Sequence, residues 1–152
     1  MLRDYRGSHR VELVAFNGED YYAVPGQMKY IEENYGKFGD MLLNINIDGA
    51  GYYRGPSAFS LFSLPPDIEE KARRIIEKYT GLEEGIQWPQ GDHSIFLQSG
   101  VPAIAVSSEW FINNIETQEI THTPKDNTEI TDCGKLIEIA SALHELINDL
   151  SK

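Results

Sequence analysis

Three runs of this chain are apolar on both sides of a two-residue period: residues 11–16 (VELVAF), 41–47 (MLLNINI) and 101–106 (VPAIAV). A strand wetted on one face alternates apolar and polar residues. These runs do not, so each must be covered on both faces. Helical patterns separate them. Together they predict an α/β three-layer sandwich around a mostly parallel or mixed central sheet. The first run carries the most weight. A buried strand over residues 11–16 ends at Asn17-Gly18 and then presents two adjacent carboxylates, Glu19 and Asp20. Side chains just past the end of a buried strand sit on a rigid mount. Adjacent acids repel, and a cation beside them removes the conflict. The same residues also fit a plain turn leading into a solvated helix.

The rest of the pattern supplies helices and further strands. Residues 1–8 read as the tail of a helix closed by Gly7. Residues 27–35 form a short helix with Met28, Ile31 and Tyr35 on one face. A third strand covers residues 58–64 and stops at Pro65-Pro66. Residues 67–79 follow as an amphipathic helix whose stripe is Ile68, Ala72, Ile75, Ile76 and Tyr79. Residues 82–88 fit a short edge strand. Gly91-Asp92-His93 opens a short helix carrying Phe96 and Leu97. Residues 107–119 read as a long connection holding Trp110 and Phe111. A last helix spans residues 131–150, with Asp132 as its cap.

With 152 residues, the chain is read as a single domain over residues 1–152. A net charge of -11 argues against nucleic acid or an anionic membrane as partner. The single cysteine, Cys133, cannot form an internal disulfide, which suits a reducing compartment and favours the cytoplasm. Residues 1–4 are charged with no apolar core behind them, unlike a signal peptide. No apolar run approaches the ~20 residues of a membrane span.

Carboxylates and neutral imidazoles gathered from distant positions suit zinc. The candidates are Asp20, Asp48 and His122 as ligands, with Glu19 as a proton-transfer base and Asp92 and His93 nearby in type. Glu19, Asp20 and Asp48 each follow a predicted strand end, where open α/β sheets place their sites. Plainer roles stand beside these. Asp48 fits a turn before Gly49, and His122 fits a loop histidine capping backbone groups. Asp92 fits a helix N-cap. His93 fits a packing histidine or a pocket-wall group better than a ligand. Other chemistries find no motif. There is no Gly-x-Ser-x-Gly elbow, no Gly-x-Gly-x-x-Gly and no P-loop. Cys133 opens a helix but has no histidine partner in sequence.

Four motifs recur in one order: Asn-Gly-Glu-Asp, Asn-Ile-Asp-Gly, Asp-His-x-x-Phe-x-x-x-Gly-Val-Pro-Ala, and His-Thr-Pro-x-Asp before the terminal helix. Together they resemble the zinc-dependent aminopeptidases, a superfamily that includes bacterial leucyl aminopeptidases, glutamate carboxypeptidase and glutaminyl cyclase. The resemblance covers nearly all of this chain and about the C-terminal half of the family's catalytic domain. It implies that Glu19 is the general base and that Asp20 and His122 hold one zinc. It implies that Asp48 holds a second zinc, that Asp92 and His93 lie near the substrate pocket, and that Asp126 braces the histidine loop.

The departures are specific. The family's two-zinc site also uses a histidine and a bridging aspartate from a His-x-Asp motif and a following aspartate. No His-x-Asp occurs here, since His9 is followed by Arg10 and Val11. Asp20 replaces a more usual glutamate, and Thr121 stands where many relatives have tyrosine. The expectation is therefore a zinc exopeptidase acting on peptides, with its N-terminal part missing and its metal site incomplete. One zinc or none would bind, and surface left uncovered would favour self-association. The alternatives are a non-catalytic interaction module on the same fold, or a glutaminyl-cyclase-like transferase.

Overall fold

A computed structural model of the chain describes residues 2–17 and 25–151. Its centre is a four-stranded mixed sheet in the order β1-β4-β2-β3. The strands are β1 (Asn44–Ile47), β2 (Ser57–Phe62), β3 (Leu82–Glu84) and β4 (Ala103–Ser108). β4 runs parallel to β1 and antiparallel to β2, and β2 runs parallel to β3. Every residue of β2 and of β4 is buried, as their apolar runs demand.

Alternation along the strands sorts the core into two layers. Phe59 and Leu61 of β2 and Ile104 and Val106 of β4 face one side. There they meet α2 (Pro66–Lys78) and α5 (Cys133–Leu150) through Ile75, Ile76, Ile139, Leu143 and Leu146. Ala58 and Phe62 of β2 and Ala103 and Ala105 of β4 face the other side, with Trp88 and Ile112. The alanines let α3 (His93–Gln98) and α4 (Glu109–Asn113) come close to the sheet. A third cluster joins Phe38, Ile95, Phe96 and Val101 to Tyr30 and Ile31 of α1 (Pro25–Glu33). Helices thus cover both faces, and the expected three-layer sandwich is the fold.

Two polar clamps bind α2 to α5. Arg74 meets Asp149 at 2.9 Å, and Lys78 meets Glu145 at 2.7 Å, with the Tyr79 hydroxyl donating to Glu145 at 3.2 Å. The Lys78 ammonium holds the Glu145 carboxyl below the ordinary glutamate range. At the start of α5, the Asp132 carboxylate accepts the Gly134 N–H at 2.8 Å, the expected cap.

Three expectations need correction. Residues 11–16 do not form a buried strand; Leu13 is 83% exposed and the run pairs with no strand among the described residues. Apolar sequence supplies the side chains of a strand but not its hydrogen-bond partner. Here the flanks are tied down instead. Tyr5 bonds Ser151, and His9 Nε2 donates to the Leu150 carbonyl at 3.0 Å. Phe16 packs edge-on against Tyr30 at 5.2 Å. The run between these anchors lies outside the sheet. Of the expected α1 face, Ile31 packs inward, but Met28 and Tyr35 are 57% and 86% exposed, and Gln27 is buried instead. Gln27 turns inward because it has a partner there, Asp92. Finally, residues 107–119 are not all connection, since β4 runs through Ser108 and α4 follows at once.

Leu146 is 1% exposed in the α2–α5 core. Leu146→Ala should lower the unfolding free energy by about 2–5 kcal/mol in urea melts, the range for a cavity left in a packed core. The Lys78–Glu145 clamp predicts a pH effect. A depressed carboxyl pKa contributes stability above its unfolded-state value and loses it as pH falls through the folded value. The pair is partly solvated, so the effect is small. The stability gap between the unaltered chain and Glu145→Gln should therefore close on acidification below the glutamate range.

Candidate active site

β1 ends at Ile47 and hands over to Asp48, whose N–H donates to the Val106 carbonyl at 3.0 Å. Strand alternation puts Asp48 on the same side as Asn46, toward α3 and α4. The chain then turns sharply. Gly49 has φ +62, and a Cβ there would lie 3.0 Å from the Ser107 hydroxyl. Glycine is needed both for the left-handed backbone and for the close approach. The Gly49 carbonyl accepts from Ser108 N at 3.1 Å and Ser108 Oγ at 2.7 Å, and Ser108 Oγ in turn accepts from Tyr52 N at 3.0 Å. From α5, the Lys135 ammonium donates to the Tyr52 and Gly55 carbonyls. The carboxylate's loop is therefore fastened to the end of β4 and to α5.

His122 arrives from the far side of the sequence. It lies in the segment between α4 and α5 and has φ 61, a left-handed conformation uncommon outside glycine. Its neighbours hold it there. Gln118 Oε1 accepts from Ile120 N at 2.7 Å and Thr121 N at 2.9 Å, and Asp126 N donates to the Thr123 carbonyl at 3.0 Å. Lys125 pairs with Glu119 at 3.0 Å on the outside.

Asp48, His122 and Asp126 line one cleft of about 560 Å³. Its apolar lining comes from Trp88, Phe111, Ile112 and Ile115, and Thr121 also lines it. Polar side chains, among them Gln90, Ser107 and Gln118, share the lining with these apolar ones, and such a mixed concave surface suits a polar ligand with an apolar part. The expected site residues fall into three sets. Asp48, His122 and Asp126 share the cleft. Glu19 and Asp20 lie outside the described residues. Asp92 and His93 stand behind the wall. Asp92 does not cap α3; its carboxylate instead accepts from Gln27 Nε2 at 2.6 Å. His93 is fully buried, its ring 4.7 Å from Trp88 and 4.9 Å from Phe62. Burial pushes its pKa down, against the smaller upward pulls of the Trp88 carbonyl and of Asp48 and Asp92.

Sequence reasoning missed the wall residues Trp88 and Ile115 and the buried partners Asn46 and Gln27. One signal was present. Asn44 and Asn46 interrupt a run that must be buried on both faces, and buried amides need partners.

A family model for peptidase family M28 matches residues 2–147. The chain belongs to peptidase family M28. Two solved structures carry the same fold as this M28 chain. An aminopeptidase from Aneurinibacillus sp. strain AM-1 is 18% identical, with a TM-score of 0.67 over 87% of this chain and 31% of that one. BSAP, a zinc aminopeptidase from Bacillus subtilis, is 18% identical, with a TM-score of 0.70 over 91% of this chain and 35% of that one. The M28 chain therefore spans about a third of the length of either protein. No curated protein sequence matches it.

The donor chemistry of the cleft fits a divalent metal of the zinc type, with the Asp48 and Asp126 carboxylates and the His122 imidazole in its lining. Among the described residues, however, no three His, Cys, Asp or Glu side chains come together as a metal-holding group. The Gly49 turn gives a structural prediction for this site. Gly49→Ala should destabilise the chain by about 1–2 kcal/mol in thermal melts, from the left-handed backbone alone, with more from the Ser107 contact.

Proposed function

We propose that this chain is part of the catalytic domain of a zinc-dependent exopeptidase. The observation that carries the proposal is the shared cleft. Asp48 and His122 are 74 positions apart in sequence (122 minus 48), yet both line one depression beside a wall of apolar side chains. In this assignment His122 and Asp20 hold one zinc and Asp48 holds the other. When bound, zinc supplies a Lewis acid that polarises the scissile carbonyl and acidifies water. Glu19 takes the proton of the attacking water on its carboxylate and returns it to the leaving amine nitrogen. Asp126 steadies the loop that presents His122. Trp88, Phe111 and Ile115 receive the side chain next to the scissile bond, which favours large apolar residues.

The sequence offers no His-x-Asp, so the ligand set available here falls short of the two-zinc arrangement. The isolated chain should therefore bind one zinc weakly and turn over aminoacyl anilides or dipeptides little or not at all. Robust turnover with added zinc would refute the incompleteness. β1 has no strand on its outer edge among the described residues, and Leu42 just before it and Ile47 at its end are 41% and 55% exposed. An open apolar edge of this kind supports self-association.

A second reading is a non-catalytic interaction module on the M28 fold, which the missing His-x-Asp of the sequence would suit. Zinc titration by calorimetry separates the two. The exopeptidase reading expects measurable zinc binding that Asp20→Ala or His122→Ala abolishes; the module expects heats that neither substitution changes. A glutaminyl-cyclase-like transferase would bind zinc as well and would be set apart by cyclising N-terminal glutamine substrates.

A further inference from the structure

His93 is fully buried, and the chemistry above gives it no task. Its two ring nitrogens address two different segments. Nε2 lies 3.0 Å from the Trp88 carbonyl oxygen. A carbonyl only accepts, so Nε2 carries the proton. Nδ1 is then a bare acceptor, 3.3 Å from the Asn46 side-chain amide nitrogen. Gly91 closes the junction with φ +105; a Cβ there would lie 2.9 Å from the Trp88 ring and 3.2 Å from the Asn46 amide.

Packing alone does not account for a histidine here. A phenyl ring would fill the space between Phe62 and Trp88 without polar atoms to satisfy, whereas buried imidazole nitrogens are tolerated only when both are partnered. What the two partners share is their position. Asn46 lies two residues before Asp48 on the same side of β1, and the Trp88 ring forms part of the cleft wall. One imidazole therefore joins the strand that delivers the carboxylate to the loop that delivers Trp88.

We infer that His93 is a positioning residue, which sets the spacing between Asp48 and the Trp88 wall through its paired bonds to Asn46 and the Trp88 carbonyl. The use of that spacing, to seat a peptide side chain beside the reacting bond, rests on the exopeptidase reading; the bridge itself does not. The bridge has a convenient reporter. The Trp88 indole Nε1 is buried and has no hydrogen-bond partner among the described residues, so its resonance will respond to small displacements.

The test is NMR on the full ¹⁵N-labelled chain, which has two tryptophans and hence two indole signals to assign. Asn46→Ala should shift the Trp88 indole signal and the amides of Gly91 and Asp48 while leaving the α2–α5 core signals in place. His93→Phe should do the same. His93→Gln keeps a donor for the Trp88 carbonyl and should return the indole signal most of the way. A histidine that only fills space predicts the reverse order, with Phe near the unaltered chain and Gln far from it, and that result would overturn the inference. So would an indole signal unmoved by Asn46→Ala. L-leucinamide then probes the use of the spacing, and Asn46→Ala should bind it roughly tenfold more weakly, about the worth of one hydrogen bond. If the unaltered chain does not bind leucinamide at the cleft, the exopeptidase reading loses its support, while the bridge still stands or falls on the indole shifts.

Discussion

Everything in this fold depends on β4 being hydrogen-bonded along both edges. It is the strand that β1 and β2 share, and its sequence AIAVSS meets a different demand at each position. Ile104 and Val106 are the large residues on the α2–α5 side, and Ala103 and Ala105 are the small ones on the α3–α4 side. Exchanging those sizes would leave a void on one face and a collision on the other, and a close-packed interior tolerates neither. The strand's last two residues then change role. Ser107 lines the cleft and Ser108 fastens the Gly49 turn. The same element is core at one end and site scaffold at the other.

That arrangement explains why a carboxylate can stand at the rim of an apolar core. Asp48 is held by backbone bonds to β4 while its side chain looks into an open cleft, so the charge keeps access to water or to a cation. Behind the aromatic wall, polar groups are matched in pairs, Gln27 with Asp92 and Asn46 with His93. These pairs tie α1 and β1 to the short α3 segment, which is too brief to hold its own position by helix bonds alone.

Much of this was legible in the residues. Period and polarity located β2, β4, α2 and α5, because burial on both faces or on one stripe writes itself directly into the sequence. The resemblance in motif order anticipated the family, and of the candidate residues it named, Asp48, His122 and Asp126 line one cleft. Three things were not legible. Residues 11–16 have the composition of a strand, but composition does not provide a neighbouring edge. Gln27 faces inward because of Asp92, 65 positions away, and no local pattern contains that fact. The task of Asp92 was missed for the same reason, while His93 is buried against Phe62 and Trp88 as a packing histidine would be. A cap is a local role, whereas the partner of Asp92 comes from α1, and the hydrogen-bond partners of His93 come from β1 and the loop before α3.

The left-handed backbone at His122 has a consequence for how such a site is kept or lost over time. An L-residue other than glycine held there stores about 1 kcal/mol of strain, so replacement by glycine would relax the loop. Selection for folding alone would then push position 122 away from histidine. An imidazole retained at so unfavourable a backbone position would, in a lineage comparison, be a signature of chemistry still in use, and drift to glycine would mark the point at which it was abandoned.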